Sequence, residues 1–207
     1  RLKYMKSIPT ILLLCFFTPK YSSNIYADEW HVNKNNRHNV VQFYSEVIGF
    51  SFDGKTDDID GYLYNPNSSV FSVGTEFFFD VNLTTMDTGI GKRDRDMRKV
   101  LRTTKWPKAT FKGTIQEVQK DTLTQQTAAL IAEGVLSVHG IDRNLLVTSN
   151  IIRDSEELYV NSEFLLSLSD FKIEAPQLIA FIKVSNEIII RANFSMITIG
   201  DGSGSKQ

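Results

Sequence analysis

From Lys92 to Lys108 the chain carries eight cations (Lys92, Arg93, Arg95, Arg98, Lys99, Arg102, Lys105 and Lys108) against two acids, Asp94 and Asp96. The rest of the chain from residue 28 on holds 11 Lys and Arg against 22 Asp and Glu, so basic charge is concentrated in one short stretch of an acidic protein. Cations grouped in this way suit an anion. That anion is either a phosphate head group, which Arg can bind bidentately, or an anionic membrane surface. The same charges would also serve as the solvated face of a helix, with Asp94 paired locally. Both readings stand at the level of the sequence.

Other chemistry is thinly represented. His31, His38 and His139 show no metal-ligand spacing, and the single cysteine, Cys15, is remote from all three. His139-Gly140 follows an apolar run and reads as a strand end, with the imidazole bonded to backbone. Asp57, Asp58 and Asp60 lie close together, but acid–base catalysis needs two carboxylates held across a cleft, and a glycine-bounded cluster reads as a solvated turn. No serine sits in a nucleophile elbow, and no glycine-rich phosphate loop is present. The sequence therefore offers no catalytic residue, metal site or cofactor motif and reads as a non-enzyme. From residue 28 on, 19 Lys and Arg face 24 Asp and Glu, a balance that argues against nucleic acid as a partner.

The elements that must position these residues are mostly strands. Val41, Phe43 and Ser45 alternate with Gln42, Tyr44 and Glu46. Phe77, Phe79, Val81 and Leu83 alternate with Glu76, Phe78, Asp80 and Asn82. Phe111, Gly113 and Ile115 share a face, as do Leu158 to Leu168 and Ile188 to Met196 at every second residue. Such period-2 alternation marks strands with one buried face. Turn signals at Asp53-Gly54-Lys55, Asn65-Pro66-Asn67, Lys120-Asp121, Asp154-Ser155-Glu156 and Ser185-Asn186 separate the runs. About eight strands with short connections suggest one all-β domain, either an antiparallel barrel or a sandwich. One helix is expected, on the spacing of Met97, Val100 and Leu101, with Pro107 at its limit. Asp170 to Pro176 reads as an irregular segment with one helical turn.

Met5-Lys6-Ser7 reads as the true start, followed by an apolar run from Ile8 to Phe17, a polar stretch and Ala27. A charged start, a short apolar core and a small residue before an acid describe a secretory signal peptide. The apolar run is too short to span a bilayer, which needs roughly 20 residues. Residues 1–27 are expected to be the signal, 28–199 the domain and 200–207, rich in Gly and Ser, a flexible tail. The exported chain then has no thiol, so its core must suffice without disulfides.

Several ordered motifs carry a family resemblance. They are Trp30-His31-Val32, Asp87-Thr88-Gly89, Arg93-Asp94, Met97-Arg98, Trp106-Pro107, Thr110-Phe111, Gly134 to Gly140 and Leu168 to Ile173 with Pro176. Together they resemble the YceI-like polyisoprenoid-binding family across essentially the whole chain after residue 28. The resemblance implies an eight-stranded antiparallel lipocalin-like barrel with a short helix between two strands. It also implies an apolar tunnel for a long-chain isoprenoid lipid (a polyprenyl phosphate or a quinone), a periplasmic or secreted location, and binding, transport or storage without catalysis. A structural or partner-binding module of the envelope stress response, with a filled interior, is the alternative. Transient membrane contact and a dimer are compatible with either. Two departures stand out: Asp96 occupies the place of a usual His in Arg-Asp-x-His-Met, and Trp106 replaces the usual Tyr or Phe before Pro107.

Strand parity places Phe77, Phe79, Val81, Leu83, Phe111, Ile115, Leu136, Val138, Phe164, Leu166, Ile188, Ile190 and Phe194 on the tunnel wall. Arg93, Arg98 and His139 are the head-group candidates. Eight strands enclose a space just wide enough to pack itself or to hold one small ligand, and composition does not choose between the two. The signal reading makes a direct prediction. Protein recovered from a periplasmic extract should begin at Asp28 on N-terminal sequencing, and a membrane-retained chain still carrying the Met5 segment would exclude cleavage after Ala27.

Overall fold

The computed structural model describes residues 28–47, 50–66, 69–121, 126–175, 177–179 and 182–198. The expected signal, the tail and Pro176 lie outside them. The strands are β1 (Asp28–Val32), β2 (Val40–Val47), β3 (Phe50–Thr56), β4 (Ile59–Asn65), β5 (Glu76–Asn82), β6 (Lys108–Lys120), β7 (Thr127–Val138), β8 (Ile141–Asp154), β9 (Glu157–Ser167), β10 (Gln177–Ile179), β11 (Ile182–Lys183) and β12 (Glu187–Thr198). Ten of them form one sheet in the order β1-β4-β5-β6-β7-β8-β9-β12-β2-β3, and β1 also pairs with β12. The pair β10–β11 stands apart as a small hairpin.

β1 and β2 lie end to end along β12, with Val32 opposite Met196 and Val40 opposite Asn193. β3 and β4 continue one another across Asp57-Asp58 in the same way, β3 on β2 and β4 on β1. Read as continuous strands, the ten segments make a closed eight-stranded antiparallel barrel. It is all-β, as anticipated, and the one α-helix among the described residues, α1 (Gly91–Val100), lies between β5 and β6.

Three local expectations need correction. Asp53-Gly54-Lys55 is not a turn but the middle of β3. Gly54 sits opposite Phe43, and a Cβ there would lie 2.4 Å from the Phe43 ring, so the glycine makes room for an aromatic. Helix α1 ends at Val100, well before Pro107, because Arg102 turns into the left-handed region at φ 49° and Thr103 N–H returns to Arg98 O. The turn after β9 is 3-10 and begins earlier than expected, at Leu168–Phe171, ending on Lys172 at φ 52°.

The interior divides into two clusters. At one end Trp30, Val70, Leu158 and Met196 are fully buried and pack solidly. Asp28 ties this end together, since its carboxylate accepts from Trp30 Nε1 at 2.7 Å and from Val70 N–H at 2.9 Å. At the other end Leu136, Val138, Leu166, Leu168, Phe171 and Ile173 form a second cluster, joined by Val100 at the end of α1 and Leu101 just after it.

The β7–β8 hairpin turns on His139 and Gly140, both at positive φ (55° and 74°), the geometry of a two-residue type I′ turn. The Trp106 indole packs against it, 4.6 Å between ring centroids from His139. A Cβ on Gly140 would lie 2.5 Å from the indole Nε1, in a backbone conformation that a side chain resists. Gly140→Ala should therefore destabilise by about 1–3 kcal/mol, which for a chain of this size lowers Tm by roughly 2–4 °C per kcal/mol. An unchanged melting curve would mean that the turn and indole relax freely.

Candidate functional site

The closed ladder forces alternate residues of every strand inward. All thirteen wall residues assigned by parity line one cavity of about 550 Å³. Phe77, Phe79, Phe111 and Phe194 form its aromatic centre, with centroid separations of 4.8 Å for Phe77–Phe111 and 5.1 Å for Phe79–Phe194. The cavity also touches Phe52, Ile59 and Leu63 of β3 and β4, which sequence reasoning passed over because Gly54 and the three aspartates read as turns. The period-2 pattern Ile59, Gly61, Leu63 was the signal available there. From the helical segment come Arg93, Met97, Val100 and Leu101.

The cavity does not run the length of the barrel. Trp30, Val70, Leu158 and Met196 do not line it, and their packed cluster forms its floor. The wall is also uneven. β8 and β9 pair only from Ser149–Ser162 to Asp154–Glu157. Beyond that rung the two strands have no mutual ladder, and buried Leu168, Phe171 and Ile173 pack with Ile141, Leu145 and Phe164 instead. His139 anchors this wedge through its Nδ1, 3.0 Å from Phe171 O.

Helix α1 borders the wide end and is latched there by the Asp87-Thr88-Gly89 turn. Asp87 accepts from Gly89 N–H at 2.7 Å, while its own backbone exchanges two bonds of 2.9 Å with Lys55. Asp94 accepts from both Thr88 N–H, at 2.9 Å, and the Thr88 hydroxyl. Arg93 Nη2 donates to Thr88 O at 2.6 Å, and its guanidinium lies over the Phe52 ring, 5.0 Å from the centroid. Hydrogen bonds from Thr88 hold the Asp94 carboxyl below the usual carboxylate range, helped by the charges of Arg98 and Arg93 and opposed by burial.

The structure separates the three head-group candidates. Arg93 lines the cavity. Arg98 turns away and donates to Thr84 O at 3.3 Å, and His139 faces Trp106 and Phe171, off the lining. Much of the remaining basic run is likewise engaged: Lys92 and Lys99 with Asp96 at 2.8 and 3.6 Å, Lys108 with Asp80 at 2.7 Å, and Lys105 over the Trp106 ring. The bond from Lys92 holds the Asp96 carboxyl below the usual carboxylate range, and Asp96 lies on the cavity lining.

A closed antiparallel barrel with a packed floor, an apolar chamber and a helix latched beside it defines a lipocalin-like binding-protein fold. The YceI-like domain model matches residues 30–196, and the chain belongs to that family. It is 26% identical over 179 residues to Protein YceI of Shigella flexneri, covering 80% of this chain and 87% of that one. In fold it resembles a polyisoprenoid-binding domain from Saccharophagus degradans implicated in plant cell wall breakdown (TM-score 0.63, 17% identity, 82% of this chain and 98% of that one). BcnA of Burkholderia cenocepacia is similar too (TM-score 0.61, 11% identity, 76% of this chain and 95% of that one).

The Thr88–Asp94 latch has a pH signature. A carboxyl depressed in the folded state contributes stability that is present above its unfolded value, about 3.9, and lost as pH falls through the folded one. Asp94→Asn should cost about 1.5–3 kcal/mol at pH 7. Melting curves followed by circular dichroism should show the gap between wild type and variant closing below about pH 4. A gap of constant size from pH 7 to pH 3 would exclude the ionised latch as its source.

Proposed function

We propose that this protein binds a long-chain isoprenoid lipid in the barrel cavity and carries or stores it, unaltered, in the periplasm or outside the cell. The observation that carries the reading is a chamber of about 550 Å³ lined chiefly by Phe, Leu, Ile and Val and floored by a packed core. A purely structural module would be expected to pack such an interior to native density, since unfilled apolar space forfeits contacts.

An isoprenoid chain matches the chamber because it requires apolar contact and no hydrogen bonds along its length. Its burial is favourable by about 25 cal/mol per Å², less the cost of ordering the chain. The description of the Saccharophagus degradans domain as polyisoprenoid-binding supports the same cargo. Ile90, 53% exposed and on the cavity lining beside the cationic helix, suits transient contact with the anionic membrane surface from which such a lipid would come. A polyprenyl phosphate and a quinone both fit this reading, which assigns no catalytic step.

Native mass spectrometry of protein purified from a periplasmic extract should show a co-purified lipid, one per chain. Phe79→Asp should abolish uptake, since the charge would face Phe194 and apolar wall without a partner. Ala192→Phe fills the chamber without adding a charge, and should weaken binding by at least about tenfold, equal to 1.4 kcal/mol, in a protein that still folds. A folded wild-type protein with a ligand-free mass and no uptake of added polyprenol would instead support the structural module.

A further inference from the structure

The chamber is not uniformly apolar, and its polar exceptions are unequal. Ser149 and Ser162 line it and satisfy one another at 2.7 Å between hydroxyl oxygens. Ser45 lines it as well, is 1% exposed, and its Oγ has no partner. Among the described residues, buried side-chain polar atoms without a partner occur at three places, Ser45 Oγ, Arg93 Nε and His139 Nε2. Two of these three residues, Ser45 and Arg93, belong to the lining.

Both neighbour Phe52, one across the strand pair and one over its ring. Ser45 is the cross-strand partner of Phe52, so their side chains leave the sheet on the same side, and both reach the cavity. The Arg93 guanidinium lies over that same Phe52 ring, with Nη2 already committed to Thr88 O and Nε left over. A buried hydroxyl without a partner is destabilising. Alanine at position 45 would remove that cost and keep the wall apolar.

We infer that Ser45 Oγ and Arg93 Nε form a polar subsite that holds a hydrogen-bond-accepting oxygen on the head group of the cargo. An arginine N–H can only donate, and the serine hydroxyl can donate as well, so the occupant must offer lone pairs. A terminal hydroxyl, a quinone-type carbonyl and a phosphate each supply such an oxygen. The subsite orients the cargo with its polar end beside β2, β3 and α1 and its chain toward the packed floor. This inference rests on the lipid-binding reading.

Titration with a polyprenol, its phosphate and a chain-matched hydrocarbon tests the subsite separately from the chamber. Wild type should prefer both oxygenated ligands to the hydrocarbon. Ser45→Ala should lose roughly tenfold in affinity for them, or 1.4 kcal/mol, and leave hydrocarbon binding unchanged. The ligand-free variant should melt no lower than wild type, because the orphaned hydroxyl is gone, while the melting shift produced by the polyprenol shrinks. A merely structural serine would lower the ligand-free melting point. Arg93→Lys keeps the charge and removes Nε. A similar loss for both oxygenated ligands would assign a hydroxyl or carbonyl oxygen, and a larger loss for the phosphate would assign a phosphate oxygen. Wild type binding all three ligands alike, or Ser45→Ala retaining the full preference for oxygen, would overturn the subsite and leave the chamber standing. Failure of all three to bind wild type would overturn the lipid-binding reading itself.

Discussion

The architecture depends on β12 being hydrogen-bonded along both edges. One edge pairs with β9 from Glu187 to Ile197, and the other takes β2 and then β1 in succession. That closure joins the sheet through β1 and sets the barrel's circumference, while β3, last in the strand order, meets the Asp87 turn through a single bridge from Lys55. Once the circumference is set, the inward residues of every strand face one another across a fixed gap. They either fill the gap or leave a chamber.

This barrel does both, at different levels. Near the β1–β12 seam, Trp30, Leu158 and Met196 meet with the inserted Val70 and Phe71, and together they fill the space. Higher up, Phe79, Phe111, Ile190 and Ala192 face one another with no inserted segment among the described residues, and the space stays open. The floor is therefore made by the β4–β5 connection as much as by the strands. The upper wall between β8 and β9 is completed by the Leu168–Phe171 turn rather than by a ladder. Side-chain packing thus replaces backbone hydrogen bonds where β8 and β9 separate.

The motifs act as fasteners between these parts. Asp87-Thr88-Gly89 holds the helix to β3 through Lys55 and to its own first turns through Asp94. Trp106, just before the proline, packs on the His139-Gly140 turn, and His139 in turn holds Phe171. Residues that appear separately along the chain as a cationic run, a Trp-Pro pair and a His-Gly pair converge around the wide end. Most of the cationic charge there is used in ion pairs and carbonyl contacts, and Arg93 is the head-group candidate whose side chain also reaches the interior.

The sequence by itself determined the strand faces. Alternation has a period of two, so Phe77, Phe79 and Val81, or Ile188, Ile190 and Phe194, share a side whatever they pack against. It also determined the all-β class and the presence of a helix before Trp106. It misplaced that helix's end because Pro107 is a visible stop, whereas the left-handed turn at Arg102 falls on a residue type that does not mark such a turn in the sequence. It missed β3 because glycine serves equally for a turn and for the close approach of Phe43. Only the tertiary structure decided which apolar residues pack and which leave space, since Phe and Leu supply floor and wall alike. It also decided which of the two candidate arginines faces inward. Arg93 and Arg98 are five residues apart, about 140° around a helix at 3.6 residues per turn, so docking one against Phe52 directs the other to the Thr84 carbonyl.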